Sequence, residues 1–112
     1  MGWDAYAVGP KGGRVRSTAD FKSAANAVRQ VVGSVDGLLE RGGLACSPCA
    51  YAIEEVSNKS AWRDWSADEV KSLWQTWQTI DPEYVENPWA YYSARAFIKV
   101  CAENGYGFEA SF

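Results

Sequence analysis

Histidine is absent from this chain of 112 residues. That closes the Ser-His-Asp and Cys-His nucleophilic schemes and the histidine-containing metalloprotease motifs. Bases are scarce as well: 11 Lys and Arg against 14 Asp and Glu leave a net charge of −3. Nonspecific nucleic-acid binding needs a basic footprint. The candidate cluster is Lys11, Arg14, Arg16 and Lys22. It reads as a solvated face, so direct nucleic-acid binding is disfavoured. No run approaches the roughly 18 apolar residues of a membrane span. The opening MGWDAYAVG has neither the charged nor the apolar region of a secretory signal. Tyr6 stands where a myristoylation pattern wants Ser or Thr. Three Cys are an odd number and exclude a fully paired disulfide framework. The expected setting is a reducing cytoplasm, with no membrane contact.

What the chain has in quantity is aromatic surface. Phe, Trp and Tyr make up 14% of it, inside a hydrophobic share of 47%. The length is that of one domain, residues 1–112, able to bury about two-thirds of its unfolded surface without a staple. Trp3, Ala5 and Ala7 alternate with Asp4, Tyr6 and Val8, which predicts an N-terminal strand. Gly9-Pro10-Lys11-Gly12-Gly13 is a turn cluster, and Val15 begins a short return strand. Ser17 and Thr18 offer an N-cap to a helix whose inward stripe is Phe21, Ala24, Ala25, Val28, Val31 and Val32, stopped by Gly33. Residues 36–41 form one further turn before Gly42-Gly43.

Three more helices follow. Ser47 and Pro48 start one whose inward face is Cys49, Ala52, Ile53 and Val56. Ser66-x-x-Glu69 is a capping box for the next, with a stripe of Val70, Leu73, Trp74, Trp77 and Ile80. Asn87-Pro88 starts the last, which runs to about Glu103 and turns Ala90, Ala94, Phe97, Ile98 and Cys101 inward. Gly105 stops it. Tyr106, Phe108, Ala110 and Phe112 then alternate as a strand. The predicted fold is α+β, with four or five helices packed on a small antiparallel sheet formed by the N- and C-terminal strands.

Chemistry has one local candidate, Cys46-Ser47-Pro48-Cys49. A helix N-terminus favours the thiolate, which is the reactive form. Cys46 would be the nucleophile and Cys49 the resolver. Pro48 resembles the Pro within the thioredoxin motif. The lead-in Arg41-Gly42-Gly43-Leu44-Ala45 is too short and Gly-rich for a core strand, however, and position 45 holds Ala where a Trp usually precedes the first Cys. The competing reading is two small buried hydrophobes at a helix start. Cys46, Cys49 and Cys101 without His fall short of a four-ligand zinc site, and Cys101 lies on a predicted core face, so neither a metal nor a cofactor is expected. Adjacent carboxylates such as Glu54-Glu55 and Asp68-Glu69 point apart on a helix, so no carboxylate pair is assigned a catalytic role.

Binding has two candidates. Trp89, Tyr92 and Arg95 share a helix face distinct from the inward one, and these types are enriched at interface hot spots. The other reading packs a helix over that face, with Arg95 stacked on an aromatic neighbour. Asp64, Asp68, Glu69, Asp81, Glu83 and Glu86 gather around the tryptophan-rich stretch, opposed there by Lys71 alone. Such a surface suits a basic protein partner, or simply keeps the protein soluble.

Gly2-Trp3-Asp4-Ala5-Tyr6-Ala7, Val35-Asp36-Gly37-Leu38-Leu39, Gly42-Gly43-Leu44 and Trp89-Ala90-Tyr91-Tyr92-Ser93-Ala94-Arg95 together resemble small proteins encoded by bacteriophages and prophages. The resemblance carries no functional residue with it. It implies a non-enzymatic accessory protein that binds a host or phage protein, in the manner of host-defence inhibitors such as anti-CRISPR proteins. The alternative expectation is a thiol-disulfide redox protein using Cys46 and Cys49.

Overall fold

The computed structural model describes residues 2–82 and 84–112. Its elements are β1 (Asp4–Val8), α1 (Ala19–Val32), a short 3-10 turn (Leu39–Arg41), β2 (Gly43–Leu44), α2 (Ser47–Ser57), α3 (Ala67–Trp77), α4 (Pro88–Asn104) and β3 (Gly107–Ser111). Four helices pack on a three-stranded antiparallel sheet of order β2-β1-β3. The chain ends meet as expected, with Ala5 opposite Ala110 and Ala7 opposite Phe108.

The period-two pattern of β1 explains its orientation. Trp3, Ala5 and Ala7 are fully buried, while Asp4, Tyr6 and Val8 are half-buried. The indole N–H of Trp3 donates to the Ala61 carbonyl at 2.9 Å. Its ring meets Phe108 of β3 edge-on at 6.5 Å. Phe108 also stacks on Trp65 at 5.6 Å, and Trp65 and Phe108 exchange backbone hydrogen bonds of 2.8 and 3.0 Å. The expected return strand reduces to a single bridge, Val8 to Arg14. Arg14 pairs with Glu109 of β3 and lies 4.0 Å from the Tyr6 ring centre, so this member of the basic cluster serves the sheet.

The added strand, β2, is two residues long and depends on glycine. A Cβ at Gly43 would stand 2.4 Å from the Ala5 carbonyl oxygen, so only glycine allows this approach.

The helix termini follow local rules. The Thr18 hydroxyl accepts the Phe21 N–H, and Gly33 closes α1 at φ 85°. Ser66 and Glu69 form the reciprocal capping box of α3. α4 is the central helix and packs against α1, α2 and α3. It buries Ala90, Ser93, Ala94, Phe97, Ile98, Val100 and Cys101, a wider face than a surface helix needs.

Two stripe assignments are corrected. Val31 is 78% exposed, because Phe21, Ala25, Val28 and Val32 define the buried line of α1 and Val31 falls well to one side of it. Ile80 lies beyond the end of α3, which stops at Trp77, and is exposed.

Candidate functional site

The Cys pair sits where the loop after β2 enters α2. Cys46, rather than Ser47, is the N-cap: its backbone is extended and its sulfur accepts the Cys49 N–H at 3.2 Å. Pro48 occupies the first turn, where its missing N–H costs nothing. The two sulfurs are joined in a disulfide, with Cα atoms 5.4 Å apart. The two ends of the bond are unlike. Cys46 is half-buried, whereas Cys49 is fully buried. Cys101 is a free, buried thiol, and burial pushes its pKa well above the ordinary range.

A third side chain completes the site. Asp36 is 5% exposed, a rare state for a carboxylate. Its Oδ1 accepts the Leu38 N–H at 2.9 Å, and its Oδ2 accepts the Ala45 N–H at 2.8 Å. Its own backbone N–H donates to the buried Ser93 hydroxyl of α4 at 3.0 Å. Asp36 therefore ties the 3-10 turn and the approach to Cys46 onto the central helix. The Cys49 sulfur lies 3.6 Å from Oδ2. Asp36, Cys46 and Cys49 bring their ligand atoms within 4.8 Å of one another.

Sequence reasoning did not single out Asp36. Its one signal is a charge standing alone in the apolar run from Val35 to Leu39. Ser93 is similarly hidden, as a hydroxyl on the inward face of α4.

The binding candidates are dispersed. Trp89, Tyr92 and Arg95 are half-buried. The Arg95 guanidinium lies 5.0 Å from the Trp74 ring centre, bridging α4 and α3. Tyr92 packs edge-on against Tyr91 at 5.0 Å. Among the acids, Asp64 accepts the Ala110 N–H at 3.2 Å. Glu69 pairs with Arg63 at 2.8 Å, and that guanidinium, followed by the Ser66 amide, lowers its pKa to about 2. Asp68 is exposed in the first turn of α3. Asp81 and Glu86 are exposed beyond the other end of α3, a helix about 16 Å long. Glu83 lies outside the described residues.

Glu86 helps line a groove of about 710 Å³ between α2 and the segment before α4. Its walls include Tyr51, Ala52, Val56, Ile80 and Val85, with Glu55 beside them. Tyr51 and Tyr84 stand exposed at this groove. Among the described residues no helix is long and apolar enough to cross a membrane. No protein-family profile, curated protein or solved structure matches this chain.

Proposed function

We propose that this protein is a thiol-disulfide redox protein whose reactive pair is Cys46 and Cys49. The observation that carries the reading is the asymmetry of the pair: a half-buried Cys46 capping a helix N-terminus is bonded to a fully buried Cys49, whose sulfur lies 3.6 Å from a buried carboxylate. In the dithiol state the helix N-terminus favours the Cys46 thiolate. That thiolate attacks one sulfur of a substrate disulfide, forms a mixed disulfide and expels the other substrate sulfur as a thiolate. The Cys49 S–H then gives its proton to the Asp36 carboxylate. The resulting thiolate attacks the Cys46 sulfur, closes the internal disulfide and expels the second substrate sulfur as a thiolate, which takes up the proton held by Asp36 and leaves as a thiol. Two electrons pass from the dithiol to the substrate.

The test is trapping. With Cys49→Ser, a substrate disulfide should leave a stable mixed disulfide on Cys46, seen as an added mass. With Cys46→Ser no adduct should form. Alkylation of Cys46 in the reduced folded protein at neutral pH, no faster than that of a free thiol, overturns the reading.

A second reading rests on the groove beside α2, where Tyr51, Ile80 and Tyr84 are exposed next to Glu55 and Glu86. Together with the resemblance to phage-encoded proteins, it supports an accessory protein that binds a host or phage protein, with Trp89, Tyr92, Arg95 and the acids from Asp64 to Glu86 as further contacts. Tyr51→Ala with Tyr84→Ala should then abolish capture of a partner that the wild-type chain retains reproducibly from host lysate. A wild-type chain that retains nothing sinks this reading.

A further inference from the structure

Asp36 stands against both members of the Cys pair. In the dithiol state the site presents two sulfurs and one carboxylate oxygen on a rigid frame. A tetrahedral zinc ion, with bonds of about 2.3 Å to sulfur and 2.0 Å to oxygen, sets an S···O edge of roughly 3.5 Å. The Cys49 Sγ to Asp36 Oδ2 distance is 3.6 Å, so one edge of such a site is already in place. The two sulfurs would need to part by about 1.7 Å on reduction, from a bonded distance to the S···S edge of a zinc site. Cys46 is half-buried and stands at the N-cap of α2, ahead of its first turn, so the separation would come from its side chain rather than from that of the fully buried Cys49.

We propose that the reduced protein binds one thiophilic divalent cation, zinc by chemical class, through Cys46 Sγ, Cys49 Sγ and Asp36 Oδ2. Two thiolates select against magnesium and calcium, which prefer oxygen. The Leu38 and Ala45 amides hold the carboxylate in orientation, as outer partners do at metal sites, and leave Oδ2 a free lone pair. Three protein ligands leave the fourth position to water on the side of Cys46. The cation would therefore exchange rather than build the fold.

Metal and disulfide exclude each other, because both need the same sulfur electrons. Oxidation of the pair by a substrate disulfide forms the Cys46–Cys49 bond, reduces the substrate to two thiolates and frees the cation, whose charge does not change. The inference thus rests on the redox reading only in requiring that the pair can be reduced in the folded protein.

The probe is cobalt(II) added to the reduced chain in the absence of oxygen, with zinc displacement as a second arm. One equivalent of cobalt should give a thiolate charge-transfer band and the intense visible bands of a tetrahedral ion. The oxidised chain should give neither. Cys46→Ser and Cys49→Ser should remove the charge-transfer band or halve it and weaken binding, Asp36→Asn should weaken binding by roughly tenfold or more, and Cys101→Ser should change nothing. The wild-type comparison of reduced with oxidised protein needs no variant, so a variant that fails to fold does not obscure it. If two thiols titrate in the reduced chain and no band forms, this proposal is overturned while the redox reading stands. If the pair cannot be reduced without unfolding the chain, both fall.

Discussion

Reduction of the Cys46–Cys49 disulfide should leave the protein folded and only slightly less stable. The bond closes a loop with two residues between its cysteines. Applied to so short a loop, the chain-entropy relation gives about 2 kcal/mol, against about 3 kcal/mol for a 15-residue loop. Reduction also releases a Cys46 thiolate at the N-terminus of α2, which offsets about 0.5–1 kcal/mol of the loss. The net loss is then about 1–1.5 kcal/mol, a minor part of the ~5–15 kcal/mol that holds a domain of this kind. The same cycle read the other way constrains the chemistry. Whatever the disulfide adds to folding, folding adds to the disulfide, and about 1.4 kcal/mol corresponds to roughly 30 mV. The folded pair should thus lie only some 20–30 mV from an unfolded Cys-x-x-Cys peptide and stay readily reducible. Urea titration with and without a phosphine reductant, followed by tryptophan fluorescence, measures the difference. The buried Trp3, Trp65 and Trp77 report the transition. The midpoint should fall by about 0.5–1.5 M, given slopes near 1–2 kcal/mol/M. A loss above about 4 kcal/mol, or unfolding on reduction, would make the bond a structural staple and refute the argument for a working redox pair.

Trp3→Phe should cost about 1–2 kcal/mol in the same titration, because it leaves the buried Ala61 carbonyl without its donor. Trp3→Ala should cost about 3–5 kcal/mol through the cavity it opens against Phe108. Glu69 contributes on the acid side: its folded pKa of about 2 lies below the ordinary carboxylate value of 4.5, so its stabilisation is complete above that ordinary value and is lost as pH falls toward 2. As a surface pair with a capping role it is worth about 1 kcal/mol, and Glu69→Gln should flatten that part of the pH-stability curve. Gly107→Ala would set a Cβ 2.3 Å from the Trp65 carbonyl oxygen and should cost about 2–3 kcal/mol in thermal unfolding. At Gly37 an added Cβ meets nothing within 4 Å, so Gly37→Ala should change stability by less than about 0.5 kcal/mol.

The elements visible in the sequence are those whose information is local. The alternation around Ala5 and Ala7, the Ser66/Glu69 box and the Asn87-Pro88 start each need only neighbouring residues. β2 was not legible. Its two residues show no period, and its pairing rests on the missing Cβ of Gly43 against a carbonyl 38 positions earlier in the chain. The site divides in the same way. Spacing alone marked Cys46 and Cys49. Asp36 belongs with them only because Leu38, Ala45 and Ser93 fold its carboxylate and backbone into the space before α2. For Arg95, stacking on an aromatic neighbour under a covering helix is one of the two readings the sequence allows, and the structure bears it out with Trp74 of α3, a partner that no local pattern names.

Asp36 fastens the loop before α2 and, under the redox proposal, also takes the Cys49 proton; a single variant confounds the two, and the geometry of the carboxylate separates them. Each carboxylate oxygen accepts a different backbone N–H, from Leu38 and from Ala45. Asparagine can satisfy only one of these, since its amide nitrogen donates. Asp36→Asn therefore weakens the loop whatever the chemistry at Cys49, and a loss of stability or overall activity says nothing about proton transfer. The structural loss should be alike in oxidised and reduced protein, because both amides need an acceptor in either state. The chemical loss should be confined to steps in which Cys49 is a thiol. Asp36→Asn should therefore leave the attack of Cys46 on a substrate disulfide nearly unchanged while prolonging the mixed disulfide, with resolution then rising with pH across the alkaline range, because a buried thiol without a base ionises above the ordinary thiol range. Stopped-flow traces across pH, read separately for formation and decay of the mixed disulfide, make the comparison. If both phases slow equally and keep the wild-type pH profile, Asp36 is a loop fastener and its closeness to Cys49 has no part in the chemistry.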